Sequence, residues 1–424
     1  EAQNDLMDKA RDITVQRSCL IDGSTTGSVG AYILTSLDPD HLIPQTFGAG
    51  WQSAATAENI VNLNEAASNG SYFYLFDGAL EMGNDTVLIQ LDQLQYKEND
   101  IDRLQAAGEK LGYHLIDRNQ KYALFHMPVN GNFGVVTHFD GIGIGTSSEL
   151  MSLVEPDLKK GKSDNLNDYS YKELSQYKVI YLAGFSYDDK DTAEQLLLKL
   201  SRAGVYIVIN GDGIPADDKT HNQEILGVTT HSISFENGYP ILYVGNTEYD
   251  SALFDPDEKG QWKTVYFSGL DQTTGHLYDE GVQLDFMGTA QNDHICFIGL
   301  NLAYHYYLTH DVVVGKIMDQ VLFQYLNEIP TRELVPISVK YGKNRIEITT
   351  NQNHVNTTLA YHDIFESKQK IQQTHHLLYV NSGTTVITMK YPYLLQGSLL
   401  SLVALIGSIL LIAICQRKVK RGKS

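Results

Sequence analysis

Residues 179–210 read VIYLAGFSYDDKDTAEQLLLKLSRAGVYIVIN, and this stretch decides the fold of the middle of the chain. Val179–Ala183 and Val205–Asn210 are continuous apolar runs, which are typical of strands buried on both faces of a sheet. Between them, Asp189–Ala203 has apolar residues at helical spacing, and Gly204 follows as a stop signal. A strand, a helix and a second strand in this order predict a βαβ unit with parallel strands and a right-handed crossover.

Residues 141–330 continue this pattern. Ile295–Leu300 predicts another buried strand, and Asp311–Leu326 predicts a closing helix that ends before Pro330. The residues of that helix expected to face inward are Val314, Ile317, Met318, Val321 and Leu322. We therefore predict that residues 141–330 form a flavodoxin-like or amidotransferase-like α/β domain.

Residues 1–140, upstream of this domain, mix short helices and strands. The predicted helices are Ser53–Ser68 and Asp100–Leu111, and the predicted strands are Thr86–Leu91, His114–Ile116 and Tyr122–His126. This order predicts an α+β domain with helices on one face of its sheet.

Residues 331–392 change to a period of two, which is typical of half-buried strands. The alternating segments are Ile337–Tyr341, Arg345–Thr349 and Thr385–Met389, with turn residues at Gly342–Asn344 and Asn381–Gly383. We predict a small membrane-proximal β-domain here.

Residues 393–415 are predicted to form a transmembrane helix. Leu394–Cys415 contains no charged residue, and 22 residues of helix cover the roughly 30 Å hydrocarbon core of a bilayer. Tyr391 and Tyr393 precede this stretch, and a tail with five Lys and Arg residues, 416–424, follows it. By the positive-inside rule the tail is expected to be cytoplasmic, with residues 1 to about 393 extracytoplasmic. The lipid bilayer is thus the first predicted partner.

The charge balance excludes nucleic acid as a partner. The net charge of −19 includes the five cations of the tail, so the residues before it carry −24, whereas phosphate binding needs clustered cations. Cys19, Cys296 and Cys415 are too scattered for a disulfide framework or a metal site. The chain opens at Glu1 without a signal peptide, and we expect it to be the C-terminal portion of a longer membrane protein.

The sharpest candidate for chemistry is Ser186, in the sequence Gly184-Phe-Ser-Tyr-Asp188 between a predicted strand and a predicted helix. A hydrolase nucleophile elbow, G-x-S-x-G, places its serine at such a turn, although Asp188 replaces the final glycine here. Asp212 and a later histidine, His305 or alternatively His221 or His310, would complete a triad in the order Ser, Asp, His. The structural alternative is that Ser186 and Asp188 or Asp189 simply cap the following helix.

No cofactor and no metal are predicted. An amidotransferase would need a cysteine where Ser186 stands, and the pair His375-His376 and the acidic run Asp188, Asp189 and Asp191 match no metal loop. Gly141-Ile-Gly-Ile-Gly145 resembles part of a dinucleotide fingerprint, but it lacks the later glycine and is not expected to precede a helix.

The 26 tyrosines are compatible with a glycan-binding surface, although tyrosine is equally common in exposed β-sheets and in turns. Tyrosine combines an apolar ring with a polar tip, which suits carbohydrate or peptide surfaces. The candidate ligand-binding residues are Asp188, Tyr304, Tyr306, Tyr307 and His310.

Several stretches resemble bacterial membrane proteins named "6-pyruvoyl-tetrahydropterin synthase-related". These are Ser71–Asp77, Glu81–Val87, Gly143–Ser147, Val179–Tyr187, Val205–Ile209 and Phe297–Leu302, and the resemblance extends over most of residues 17–415. Members are typically large polytopic proteins of Gram-positive bacteria. Their N-terminal membrane part is similar to C-superfamily glycosyltransferases that use polyprenyl-phosphate sugars.

This resemblance implies a function in cell-envelope glycan assembly but supplies no catalytic residue. A pterin synthase binds zinc through a His-x-His pair, and no such pair occurs in this sequence. The acidic loop of a C-superfamily glycosyltransferase would lie upstream of Glu1. The resemblance therefore implies an accessory portion that serves a membrane-embedded N-terminal part of the same chain and binds a cell-envelope glycan or a polyprenyl-linked sugar. The alternatives are a hydrolase or transferase centred on Ser186 and a purely structural module.

Overall fold

The computed structural model of the chain describes residues 2–22, 44–46, 55–236, 238–250, 262–309 and 311–421. Its contacts divide the chain into two compact units. The first unit combines Glu1–Val136 with Glu333–Ser424, and the second is Thr137–Arg332.

The N-terminal part of the first unit is a five-stranded sheet with helices. The strands are β1 (Ser18–Ile21), β2 (Gln45–Thr46), β3 (Thr86–Gln90), β4 (His114–Arg118) and β5 (Tyr122–His126), in the spatial order β2-β1-β3-β5-β4. The helices are α1 (Ala2–Ile13), α2 (Ala57–Asn69), α3 (Tyr72–Glu81) and α4 (Ile101–Lys110).

Helices cover both faces of this sheet, so the prediction of helices on one face was wrong. Leu75 and Phe76 of α3 pack with Val87 on one face, whereas Met7 of α1 packs with Leu88 on the other. The strand β3 alternates between the two cores, because successive side chains of a strand point to opposite faces. The helix α1, which was not predicted, supplies the second layer.

The strand β6 (Phe133–His138) begins in the first unit and ends at the start of the second. The second unit is built around one large sheet. In chain order its elements are β7 (Gly141–Ile144), α5 (Ser148–Val154), β8 (Leu158–Lys160), α6 (Tyr171–Leu174), β9 (Val179–Leu182), α7 (Lys190–Arg202), β10 (Tyr206–Asn210), β11 (Glu224–Ile225), β12 (Val228–Phe235), β13 (Leu242–Val244), β14 (Thr247–Tyr249), β15 (Trp262–Ser268), β16 (Gln272–Asp279), β17 (Val282–Ala290), β18 (Asn292–Ile298), α8 (Leu302–Thr309) and α9 (Val312–Val321).

One half of the main sheet of this unit is parallel. Strands β8, β7, β9, β10 and β18 lie side by side in this order, and each neighbouring pair is parallel. Numbered along the chain, the five strands have the order 2-1-3-4-5. The sheet continues from β18 through β17, β15, β12 and β11 as antiparallel strands, and β13, β14 and β16 pair off this path. The predicted βαβ unit is confirmed, since β9 and β10 are parallel with α7 between them.

Helices pack on both faces of the parallel half. Tyr181 of β9 packs with residues of α5, α8 and α9, whereas its neighbour Leu182 packs with residues of α6 and α7. The inward face predicted for α9 is confirmed, because Val314, Ile317, Met318, Val321 and Leu322 are all buried. This layering leaves the ends of the strands as the places where loops meet.

The C-terminal part of the first unit consists of two further sheets. Its strands are β19 (Thr331–Pro336), β20 (Ser338–Gly342), β21 (Arg345–Thr350), β22 (Val355–Ala360), β23 (Phe365–Ser367), β24 (Gln372–Thr374), β25 (Leu377–Val380) and β26 (Gly383–Met389). A four-stranded sheet has the order β20-β21-β26-β23. A five-stranded sheet has the order β19-β6-β22-β25-β24, so strands from after residue 331 share a sheet with one from before residue 140.

The last element is the helix α10 (Leu394–Arg421). Its segment Leu394–Ile414 is long and apolar enough to cross a membrane, and none of its most apolar stretch is buried against the rest of the described chain. The hydroxyls of Ser398, Ser401 and Ser408 donate hydrogen bonds to backbone carbonyls four residues earlier, at 2.7 to 2.9 Å. These bonds make the three serines compatible with hydrocarbon. The direction in which the helix crosses stays a prediction.

Candidate functional site

The carboxyl ends of β7, β9, β10 and β18 form the candidate site. In open α/β sheets, ligands bind outside the carboxyl ends of the strands, at the point where the strand order reverses. Here the chain leaves β7 toward β8 on one side, and leaves β9 toward β10 on the other. The reversal therefore lies between β7 and β9, with β10 beside β9 and β18 one strand further on.

Two glycines let the loops after β7 and β9 pack backbone against backbone. Gly145 and Gly184 both have left-handed φ values, +112° and +65°. A Cβ on Gly145 would lie 2.2 Å from the carbonyl oxygen of Ala183, and one on Gly184 would lie 2.5 Å from Oγ1 of Thr146. Only glycine fits these positions. Contrary to expectation, a helix does follow Gly145, because α5 starts at Ser148, although it has only seven residues.

Ser186 lies at this edge but not at a nucleophile elbow. The strand β9 ends at Leu182, and Ser186 is already part of an isolated bridge with Asn165. Its backbone N–H donates to the Asp164 carbonyl at 2.8 Å, and its carbonyl accepts from the N–H of Leu166 at 2.9 Å. The backbone at Ser186 is therefore extended rather than sharply turned, and its side chain is exposed.

The helix α7 is capped by Asp189. Its carboxylate accepts hydrogen bonds from the N–H of Asp191 at 3.1 Å and from the hydroxyl of Thr192 at 2.6 Å. Asp188 is exposed, and its N–H donates to Oδ1 of Asn167 at 2.7 Å. The capping alternative is thus confirmed for Asp189.

Asp212 follows β10 and is the most unusual carboxyl group of the edge. It is half-buried, and burial raises the pKa of this group to about 6. Hydrogen bonds from the hydroxyl of Thr264, at 3.2 Å, and from the N–H of Asn301 partly oppose this rise in pKa. A carboxyl group whose pKa is raised by burial and which accepts hydrogen bonds from specific donors at the end of a strand is a functional-site candidate.

The turn after β18 brings the Asn301 N–H to this carboxylate. Leu300 and Asn301 both have left-handed φ values, +58° and +49°, and a buried leucine rarely adopts this conformation. The Leu300 carbonyl accepts hydrogen bonds from the Tyr239 hydroxyl at 2.5 Å and from the Trp262 indole N–H at 3.2 Å. Such strain persists only where the surroundings fix it, and it concentrates at functional sites.

His305 lies behind this cluster in the core. It is fully buried, and its ring packs against those of Tyr239 and Trp262 at 5.5 and 5.6 Å. Its Nε2 lies 3.7 Å from Oδ2 of Asp311. Burial raises the pKa of Tyr239 well above its usual range, and the carboxylates of Asp212 and Asp311 add to this effect. Tyr239 therefore lies between Asp212 and His305.

The three candidate catalytic residues are not brought into contact. Among the residues that the structure describes, no hydrogen bond joins Ser186, Asp212 and His305 to one another. Because His305 has no exposed surface, it cannot contact a substrate at this edge of the sheet. The alternative His221 lies in an exposed turn, and His310 lies outside the described residues.

The three tyrosines of α8 contact two different groups of aromatic residues. Tyr304 stacks on Trp262 with ring centroids 6.1 Å apart, and Tyr307 stacks on Tyr304 at 6.4 Å. Tyr306 instead packs against Phe323 at 5.8 Å, and burial raises its pKa. The rings of Trp262, Tyr304 and Tyr307, which we call the aromatic ladder, thus begin beside the Asp212 cluster. Asp188 lies apart from them, at the start of α7.

Sequence reasoning missed Tyr239, Trp262, Thr264 and Asn301. Asn301 could have been found, because it follows the buried strand β18 and polar residues after parallel strands meet at one edge. Tyr239, Trp262 and Thr264 come from the antiparallel half of the sheet, and no local pattern connects them with Asp212.

The described part of the chain contains no group of three or more potential metal ligands. His375 and His376 form the turn between β24 and β25 and contact Glu81 and Glu58, each at 2.9 Å. They anchor this hairpin to α3 and α2.

Comparisons with known proteins leave the function of this site open. Residues 140–305 match the family model of a domain of unknown function, DUF8560, and residues 1–138 match that of a second, DUF8559. No curated protein matches the chain. Among solved structures, the chain is similar to alpha-L-fucosidase isoenzyme 2 from Paenibacillus thiaminolyticus, with 11% identity and a TM-score of 0.33. This similarity covers 74% of the chain and 57% of the fucosidase chain, so the chain spans just over half the length of that enzyme.

Proposed function

We propose that this chain is the extracytoplasmic, membrane-anchored binding portion of a cell-envelope protein, and that the sheet edge around Asp212 binds a glycan. The observation that carries the proposal is a half-buried carboxylate held by Thr264 and Asn301 beside the aromatic ladder. The order 2-1-3-4-5 of the parallel strands supports the part of this proposal that assigns Asp212 to a flavodoxin-like domain.

The side chains around Asp212 suit a neutral sugar. Ionised carboxylates accept hydrogen bonds, so Asp212 can accept from sugar hydroxyls, and an aromatic ring offers a flat apolar face with a polar tip at tyrosine. The charge of −24 carried by residues 1–416 disfavours phosphate-rich ligands. A glycan satisfies both the polar and the aromatic elements.

The membrane part of the proposal rests on α10 and its flanks. A helix of sufficient length and apolarity is followed by five cations, which favours a cytoplasmic C-terminus. In line with the resemblance to the 6-pyruvoyl-tetrahydropterin synthase-related membrane proteins, we assign the sugar transfer itself to a membrane-embedded part of the parent protein. The present chain would hold the acceptor glycan or the polyprenyl-linked sugar.

The competing hydrolase hypothesis needs Ser186, Asp212 and a histidine in contact. The described geometry keeps Ser186 in an extended segment and His305 in the core, so it favours binding over nucleophilic catalysis.

The test is calorimetry on the full chain in lipid nanodiscs, titrated with cell-envelope glycan fragments and with polyprenyl-phosphate headgroup analogues. Binding of one glycan class is expected, with Asp212→Asn and Tyr304→Ala each weakening it at least tenfold. Ser186→Ala is the matched control at the same sheet edge and should leave the Kd unchanged. Turnover that disappears in Ser186→Ala would support the hydrolase instead. If the wild-type chain binds no glycan, the structural-module hypothesis is favoured.

A further inference from the structure

The four-stranded sheet β20-β21-β26-β23 ends close to the start of the C-terminal helix. Its strand β26 finishes at Met389, and the N–H of Lys390 still donates to the Ile364 carbonyl at 2.8 Å. Only residues 391–393 then separate the sheet from Leu394, where α10 begins. Because a residue of extended chain spans at most about 3.6 Å, this end of the sheet lies within about 14 Å of the helix start.

The same end of the sheet carries the turn between β20 and β21. Arg345 pairs with Thr388, and the side-chain amide of Asn344 donates to the Met389 carbonyl at 3.0 Å. We call residues 341–345 the hairpin tip. It holds Tyr341, which is 70% exposed, with exposed Lys343 and Arg345.

An apolar groove opens beside the hairpin tip. It has a volume of about 370 Å³ and is lined mainly by Tyr341, Ile346, Leu359, Phe365 and Met389. Met389 of its wall is followed five residues later by Leu394, where α10 begins. This continuity with the start of α10 favours the hydrocarbon of the bilayer as the occupant of the groove.

The charge of this region also fits a lipid surface. Residues 333–392 contain six Lys and Arg against four Asp and Glu, a net charge of +2, whereas residues 1–332 carry −26. At the membrane end of the sheet, Arg345 pairs with Glu347, and Lys390 pairs with Glu366 at 2.8 Å. Tyr391 and Tyr393, 51% and 77% exposed, add the aromatic residues typical of a membrane interface. The otherwise acidic chain thus presents a slightly basic, tyrosine-rich part next to its helix.

We infer that the membrane-facing end of the β20-β21-β26-β23 sheet is a lipid-binding site, in which the hairpin tip lies among the headgroups and the groove holds an acyl chain of a bilayer lipid. This inference rests on the membrane anchoring proposed above. The site would hold the sheet at a fixed height above the bilayer.

Depth-dependent fluorescence quenching tests the position of the hairpin tip. The full chain is placed in nanodiscs of phosphatidylcholine and phosphatidylglycerol in a Cys415→Ser background, since Cys19 and Cys296 are buried. A fluorophore is attached at Lys343→Cys, at Ser382→Cys or at Leu402→Cys. Ser382 is the matched control, because it precedes the far end of β26, about 20 Å away.

Lipids with a nitroxide near the headgroup should quench the label at 343 at least threefold more than the label at 382. Lipids with a nitroxide deep in the chain should quench the label at 402. Equal quenching at 343 and 382 with a quenched label at 402 would overturn the lipid-binding site and leave the anchoring intact. An unquenched label at 402 would overturn the anchoring and this inference with it.

Photocrosslinking tests the groove itself. A phospholipid with a diazirine in its acyl chain should crosslink to residues 355–367, with crosslinks to α10 as the internal reference. Leu359→Trp fills the groove and should reduce the groove crosslink at least fivefold relative to the helix. Leu334→Trp, on β19 in the neighbouring sheet, is the control and should have no effect. An equal yield in both variants would show that the groove holds no acyl chain.

Discussion

Asp212 belongs to the candidate binding site, and its burial lowers the stability of the folded chain at neutral pH. Its pKa is about 6 in the folded chain because burial disfavours the ionised form. In the unfolded chain an aspartate titrates near 3.9. Between these values the unfolded chain releases its proton first, so the stability contributed by this group is present below about pH 4 and lost as pH rises to 6.

We therefore predict that Asp212→Asn stabilises the second unit at pH 7.5 by about 1–3 kcal/mol, an amount discounted for partial exposure. At pH 4 most of this gain should be lost, because the wild-type carboxyl group is then neutral in the folded state and only about half ionised in the unfolded state. Chemical denaturation at the two pH values measures the difference. The same variant should lose glycan binding, and a variant that is more stable but inactive identifies a functional residue. An unfolding free energy at pH 7.5 that is equal for the wild-type chain and the Asp212→Asn variant would contradict the prediction.

Tyr239 is predicted to fix the strained turn at Leu300 and Asn301. Tyr239→Phe removes the hydroxyl that donates to the Leu300 carbonyl, which still receives the Trp262 N–H. We expect a loss of about 1 kcal/mol of unfolding free energy, typical of one hydrogen bond, and weaker binding at Asp212 as Asn301 shifts. Thermal denaturation and calorimetry measure the two effects. Tyr243→Phe, on the separate strand β13, should change neither.

At the residue scale, sequence reasoning found part of the site. Asp212 and Tyr304 were predicted because a polar residue after a strand and a run of tyrosines are visible in the sequence. The partners Thr264 and Tyr239 were not, since they lie 52 and 27 residues from Asp212 along the chain. His305 was assigned to catalysis because its burial between two aromatic rings cannot be read from its neighbours in sequence.

At the scale of elements, the helix α7 illustrates how local signals set boundaries. It runs from Lys190 to Arg202, one residue inside each predicted end, because Asp189 is its N-cap and Ala203 its C-cap. Asp189→Ala should destabilise the second unit by about 1 kcal/mol, since it leaves N–H groups of the first turn unsatisfied. Asp188→Ala is the matched control, because Asp188 is held through its backbone N–H. Denaturant titration that finds equal losses in the two variants would contradict the capping role.

Element types were predicted best where periodicity was strong. The strands β9 and β10 and the helices α7 and α9 follow from apolar runs and spacing in the sequence. The short helix α5 after Gly145 was missed, because its seven residues contain too little periodicity to distinguish a helix from a loop.

At the scale of the whole molecule, buried carboxyl groups predict that the second unit is most stable in mild acid. Burial, with Asp319, Asp157 and Glu328 nearby, raises the pKa of Glu155 to about 7. Burial also raises the pKa of Asp157, which lies next to Asp140. Since both folded pKa values lie above the unfolded ones, stability is lost as pH rises from about 4.5 toward 7.

We therefore expect the second unit to unfold at a higher temperature at pH 5 than at pH 8, with Glu155→Gln reducing this difference. The exposed Glu149, which pairs with Lys160 at 2.8 Å, provides the control substitution Glu149→Gln. Calorimetry of the full chain at several pH values measures the transition. A Tm of the second unit that rises steadily to pH 8 would disprove the expectation.

The first unit depends on a buried polar contact between distant parts of the chain. The side chain of Gln16 donates to the carbonyls of Gly83 and Phe133 and to the hydroxyl of Thr358, and it accepts from the Phe133 N–H at 2.6 Å. Gln16→Ala should lower the unfolding free energy by about 2–4 kcal/mol, because several buried groups lose their partner. Denaturant titration measures the loss. Asn59→Ala, which removes an exposed hydrogen bond to His375, is the control and should change stability by less than about 0.5 kcal/mol.

The sequence by itself determined the elements whose signal is local: the βαβ unit of residues 179–210, the alternating strands after residue 331 and the apolar helix at the C-terminus. Periodicity indicates which face of a helix or strand is buried, and the length of an apolar run indicates whether a helix can cross a membrane. Only the tertiary structure decided that residues 1–136 and 333–424 form one unit, and that Thr264 and Asn301 meet at Asp212. Such contacts join residues far apart in the chain, and an apolar or polar pattern does not specify the partner against which it packs.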